Sequence, residues 1–111
     1  MKVSEMLAGA DLIQVAGESG NGNEIKGAYI GDLLSLVMSR ALEGNLWITI
    51  QAHENIVAVA SLVEVSAIVV AEGIRVEAGT IEKANELDIP IFESKAPAFE
   101  LAKTVIGLGI Q

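Results

Sequence analysis

From residue 46 to residue 106 the chain alternates short β-branched runs with helical segments, and this alternation constrains its fold more than any other feature. Leu46-Trp47-Ile48-Thr49-Ile50 is rich in β-branched and aromatic residues and reads as a strand. Over 56–63, Ile56, Val59, Ala60 and Val63 share one helical face, with Asn55 placed to cap it. Ala67-Ile68-Val69-Val70 is an unbroken apolar run, the pattern of a strand buried on both faces of a parallel sheet. The next helix is expected to be capped by Thr80, with Glu82 at the positive end of its dipole and Ile81, Ala84 and Leu87 on its buried stripe. Ile89-Pro90-Ile91-Phe92 follows as a strand, with Pro90 at its beginning or at an edge because proline has no amide to donate. Pro97 suits the first position of a final helix carrying Ala98, Phe99, Ala102, Val105 and Ile106. Strand, helix, strand, helix, strand, helix is the order that right-handed crossovers in a parallel sheet require.

The first 45 residues are less regular. Val3 to Ala8 reads as a short helix started by Ser4 and ended by Gly9, and Leu12 to Ala16 as a strand. The run Gly17 to Glu24 is all small or polar with an Asn21-Gly22 pair, which predicts a mobile exposed turn. Ile25 to Ile30 reads as a second strand. Asp32 is placed to cap a helix with Leu34, Val37, Met38, Ala41 and Leu42 as its stripe and Gly44 as its stop. Leu33 and Leu36 lie off that stripe, so the helix is apolar on more than one face. The expected architecture is one domain over residues 1–111, a three-layer α/β/α arrangement around a mainly parallel sheet of about five strands.

Hydrophobic residues make up 51% of the chain and aromatics only 4%, so Val, Ile, Leu and Ala must build the core. A mean hydropathy of +0.50 is more apolar material than a domain this small hides easily, and self-association is its simplest outlet. Leu33, Leu36 and Val37 are the candidate interface residues, facing a twin or a different protein. The longest apolar stretch, residues 56–71, is broken by Ser61, Glu64 and Ser66 and is shorter than the roughly 20 residues a membrane span needs. No apolar leader segment follows Lys2, and there are no cysteines to form disulfides, thiolate metal sites or a thiol nucleophile. The expected compartment is the cytoplasm. A net charge of -8 with scattered cations argues against nucleic acid as a partner.

No catalytic set emerges. The glycines at 17, 20 and 22 are not followed by the Lys-Ser or Lys-Thr of a phosphate loop, and their spacing is not that of a dinucleotide fold. Gly17-Glu18-Ser19-Gly20-Asn21 is not a nucleophile elbow, because position 21 is Asn. A single His without clustered carboxylates predicts neither a metal site nor a cofactor. The informative segment is Thr49 to Asn55, where Gln51, His53 and Asn55 stand between a buried strand and a helix start. Such positions bind ligands in open α/β sheets, and they equally serve as helix caps. Glu72-Gly73 and Ser94-Lys95 occupy matching positions after the next two strands and would line the same rim.

The segments Gly31-Asp32-Leu33-Leu34-Ser35, Ile48 to Ile56, Val70-Ala71-Glu72-Gly73 and Ile89-Pro90-Ile91 together resemble a DRTGG domain, over about residues 3–106. Domains of this family stand alone, lie between CBS domains in pyrophosphatases, or adjoin phosphotransacetylases, and they are similar to the N-terminal domain of HPr serine kinase. The resemblance implies a non-catalytic, usually dimeric regulatory module. Ala52-His53-Glu54 replaces the family's Gly-Asp-Arg-like turn and Ala71-Glu72-Gly73 its Thr-Gly-Gly-like turn, so Glu54 and Glu72 would oppose a phosphate there. The expectation is therefore a regulatory module acting through homodimerisation or an unidentified protein partner. The alternative is a sensor of a small molecule, such as an adenine nucleotide, bound near Gln51, His53 and Asn55.

Overall fold

The computed structural model describes residues 1–111. Its elements are α1 (Val3–Gly9), β1 (Ile13–Ala16), a 3-10 turn (Glu18–Gly20), β2 (Gly27–Ile30), α2 (Leu34–Arg40) and β3 (Asn45–Thr49). They continue with α3 (Asn55–Val63), β4 (Ala67–Val70), α4 (Ala78–Glu86), β5 (Ile91–Glu93) and α5 (Ala98–Gly107). The strands form one sheet in the order β1-β5-β4-β3-β2. β2 through β5 are parallel neighbours, with Trp47 beside Tyr29 and Ile68, and Ile68 beside Ile91. β1 alone runs antiparallel, against β5, with an irregular register between Gln14 and Ala16.

Because consecutive parallel strands are adjacent, the crossover helices α2, α3 and α4 share one face. Side-chain alternation along the strands then divides the core in two. Trp47, Ile68, Val70 and Ile91 pack with Val37, Ile56, Val57, Ala60 and Ala84 of those helices. Leu46, Ile48, Val69 and Phe92 pack with Val3 and Met6 of α1 and Leu101 and Val105 of α5. The expected three-layer α/β/α fold with a mainly parallel sheet is what forms, and its central strands β3 and β4 are buried at every position. No helix is long and apolar enough to cross a membrane.

Several local expectations are corrected. The run 17–24 is not a free loop: its carbonyls hold α1, with Val3 donating to the Asn23 carbonyl and Ser4 to the Asn21 carbonyl, each at 3.0 Å. The Asn21 and Gln14 side-chain amides pair reciprocally at 2.8 Å, and Gly17 donates to Asn85 Oδ1 on α4. Asp32 does not cap α2, which begins after Leu33 without a side-chain cap. Thr80 does not cap α4 either; it lies inside that helix, fully buried, and its hydroxyl donates to the Ala52 carbonyl at 2.8 Å. Val37 is fully buried in the core, so it cannot itself serve an interface. Leu42 and Leu87, expected on buried stripes, are exposed because α2 ends at Arg40 and α4 at Glu86, and Met38 is exposed within α2, whose one buried residue is Val37.

Candidate functional site

The carboxyl ends of β2 to β5 form one rim, the place where open parallel sheets bind ligands. Its β2–β3 corner is a closed polar knot. Asp32 Oδ1 accepts from the Thr49 hydroxyl and the Ile50 amide, both at 2.9 Å, while the Asp32 carbonyl accepts from Gln51 Nε2. Trp47 Nε1 donates to the neighbouring Gly31 carbonyl at 2.9 Å. These bonds tie β2 to the end of β3, and Gln51 Nε2 takes part in holding the rim together. Asp32→Ala would leave the proton of the nearly buried Thr49 hydroxyl and the Ile50 amide without their acceptor and is expected to cost about 1–2 kcal/mol, with Asp32→Asn milder because it keeps an acceptor. The shift in urea midpoint between the two variants checks this.

The β3–α3 turn lies beside that knot. His53 Nδ1 accepts the Asn55 amide at 3.2 Å, so the imidazole serves the start of α3. His53 and Asn55 are exposed and line an open cleft of about 220 Å³ between α3 and α4, together with Glu54, Lys83 and Leu87.

On the other side of the rim, the turns after β4 and β5 are stitched together. Glu72 and Gly73 are successive left-handed residues (φ 67 and 70), and their amides donate to the Ala96 and Ser94 carbonyls at 3.0 and 2.8 Å. Two left-handed residues in a row aim both amides at the neighbouring turn, and Gly at the second position carries that geometry without strain. Ser94 is buried, and its Oγ accepts the Ala96 amide at 3.1 Å. Glu93 sits between the turns, accepting the Val76 amide at 2.8 Å on Oε2 and lying 3.4 Å from Arg75 Nε through Oε1. Gly73, Arg75, Ser94 and Lys95 line a cleft of about 290 Å³ whose far wall is Ile13 and Val15 of β1.

The predicted residues therefore fall into two groups. Gly73, Ser94 and Lys95 share one cleft with Glu72 at its edge, whereas Gln51, His53 and Asn55 stand across the rim. Arg75, Glu93, Ile13 and Val15 were not anticipated. Arg75 sits in a loop without a pattern, and β1 reaches the cleft only by antiparallel pairing with a strand some 80 residues later, which no local signal announces. No three His, Asp or Glu side chains are arranged to hold a metal ion.

No family model matches the chain, and no curated protein matches its sequence. Among solved structures, its backbone superposes on a crystal structure of the CBS and DRTGG domains of the regulatory region of Clostridium perfringens pyrophosphatase, complexed with the activator diadenosine tetraphosphate. The TM-score is 0.69 at 15% sequence identity, over 95% of this chain and 46% of that one. The two share a fold. This chain spans just under half of that regulatory region, and at such low identity the likeness is one of backbone, leaving the chemistry of the rim to this chain's own residues.

Proposed function

We propose that this chain is a non-catalytic regulatory module of the DRTGG type, a single cytoplasmic domain that works as a homodimer. The observation that carries this reading is the shared fold, over 95% of the chain, with a region whose role in the pyrophosphatase is regulatory. Self-association is supported by the surface of α2 and its flanks, where Leu33 and Leu42 are 66% and 68% exposed and Leu36 and Met38 are also open to solvent. Four large apolar side chains within ten residues are the kind of patch that a symmetric partner covers. Light scattering at micromolar concentration is expected to return about twice the 11.6 kDa chain mass. The double variant Leu33→Glu, Leu36→Glu is expected to return the single mass with an unchanged circular dichroism spectrum. A wild-type monomer overturns the dimer.

A second reading, ligand sensing, is favoured by the complex of the structural neighbour with diadenosine tetraphosphate. In this reading a nucleotide occupies the rim, with Gln51, His53 and Asn55 as the first candidate contacts. A ligand at 100 times its dissociation constant stabilises by about 2.7 kcal/mol, roughly a 10 °C rise in melting temperature for a domain of this size. A nucleotide panel that leaves the melting temperature unmoved removes the reading.

A further inference from the structure

We propose that the cleft between the ends of β4 and β5 and the start of β1 is an oxyanion site. It would take the phosphate of a small phosphomonoester whose carbon part lies against Ile13 and Val15. The proposal rests on the ligand-sensing reading and moves the ligand across the rim from His53.

Charge selects this cleft. The chain has 7 Lys and Arg against 15 Asp and Glu, and of the five surface clefts this is the one whose lining holds more cations than carboxylates, Arg75 and Lys95 against Glu93; Glu72, exposed at its edge, opposes an anion and makes the cations' contribution the one to test. Glu93 is engaged by the Val76 amide and by Arg75, which leaves Lys95 as the unpaired cation of the lining. The Arg75 side chain is 88% exposed, leaving its terminal nitrogens free, and Lys95 forms no ion pair.

The residues of the lining also carry unspent hydrogen-bond donors. The backbone amides of Arg75 and Lys95 donate to no other group of the chain, and the Ser94 hydroxyl accepts from Ala96 while its own proton remains unspent. At Gly73 a Cβ would meet nothing within 4 Å, so the backbone is open to close approach. A guanidinium, an ammonium, two amides and a hydroxyl are the donor set that a phosphate's acceptor oxygens require. On the opposite wall Ile13 is 63% exposed and offers an apolar surface to a carbon skeleton. The cleft volume of about 290 Å³ is at the small end of ligand sites, in keeping with a guest that places one phosphate and a small apolar part in it.

The test follows amide resonances of the isotope-labelled chain during titration with adenosine monophosphate, inorganic phosphate and adenosine. Saturable shifts at Gly73, Ser94 and Lys95 are expected with the monophosphate, weaker ones with phosphate, and none there with adenosine. Lys95→Gln is expected to weaken monophosphate binding about tenfold or more without disturbing the fold, since Lys95 pairs with nothing in the chain. Arg75→Gln should act in the same direction, while Lys26→Gln, at the opposite end of the sheet, should change nothing. Undiminished binding in Lys95→Gln, or equal binding of adenosine, overturns the site. Phosphate binding as tightly as the monophosphate overturns the role given to Ile13 and Val15. Shifts confined to His53, Asn55 and Lys83 overturn this site and leave ligand sensing standing, and silence from all three probes throughout the chain removes both.

Discussion

Gly17→Ala is expected to destabilise the protein by on the order of 3 kcal/mol or more, although the residue lies in a stretch that reads as a loop. Gly17 is left-handed (φ 72), and a Cβ there would sit 2.0 Å from the Ile89 carbonyl oxygen and 2.2 Å from its carbon. Both neighbours are backbone, so no side chain can swing aside. Left-handed strain contributes about 1–3 kcal/mol and the forced backbone shift about as much again. The displaced chain also carries the Gly17 amide away from Asn85 Oδ1, which it meets at 2.8 Å. The melting temperature should fall by more than about 10 °C. Gly22→Ala is the matched control, because a Cβ at Gly22 meets nothing within 4 Å. If the two variants melt together, the packing of 17–24 against the Ile89-Pro90 turn does not stabilise the fold.

Trp47→Ala is expected to cost about 3–5 kcal/mol, a large share of the roughly 5–15 kcal/mol that holds a domain of this kind together. Trp47 is fully buried in β3, beside Tyr29 on one side and Ile68 on the other. Its removal leaves a cavity under α2 and α3 that close-packed neighbours fill only in part. The loss also reaches the rim, because the Gly31 carbonyl loses its 2.9 Å donor one residue before Asp32. Trp47→Phe retains most of the volume and loses the indole N–H, so a smaller cost of about 1–2 kcal/mol is expected. Urea unfolding at constant slope separates the two. Faster amide exchange at Ile50 in both variants would report the loosened Asp32 knot, since that amide is held by Asp32 Oδ1. An alanine variant as stable as the phenylalanine one would show that the core collapses to fill the space.

Much of the architecture was legible because burial of a parallel sheet leaves a strong local mark. The apolar runs at 46–50 and 67–70 become β3 and β4, and the helical stripe at 56–63 becomes α3. Pro90 precedes β5, as its missing amide demands. Cap assignments fared worse. Asp32 and Thr80 have the residue types that cap helices, yet each spends its side chain on a neighbouring loop, the Thr49–Ile50 segment in one case and the Ala52 carbonyl in the other. A cap signal records what a side chain can accept or donate, and tertiary structure chooses the partner.

The rim shows the same division. That Glu72-Gly73 and Ser94-Lys95 would meet followed from their equivalent positions after two parallel strands, which adjacency in the sheet converts into contact. That Arg75 and Glu93 would pair between them did not follow, because the loop from residue 74 to 77 folds back onto the end of β5 only once the sheet exists. His53 lies within the segment singled out for ligand binding, and the structure finds its Nδ1 on the Asn55 amide, the capping arrangement that residue types alone left equal to a binding role.

By itself the sequence determined the α/β class, the succession of strands and helices from residue 46 onward, and the residues of the central strands, because hydrophobic periodicity is a local property that burial imposes directly. Only the tertiary structure decided the antiparallel placement of β1, the ordering of 17–24 and the convergence of Ile13, Arg75 and Lys95 on one cleft. Those depend on long-range pairing, whose partners have no sequence proximity through which to leave a pattern.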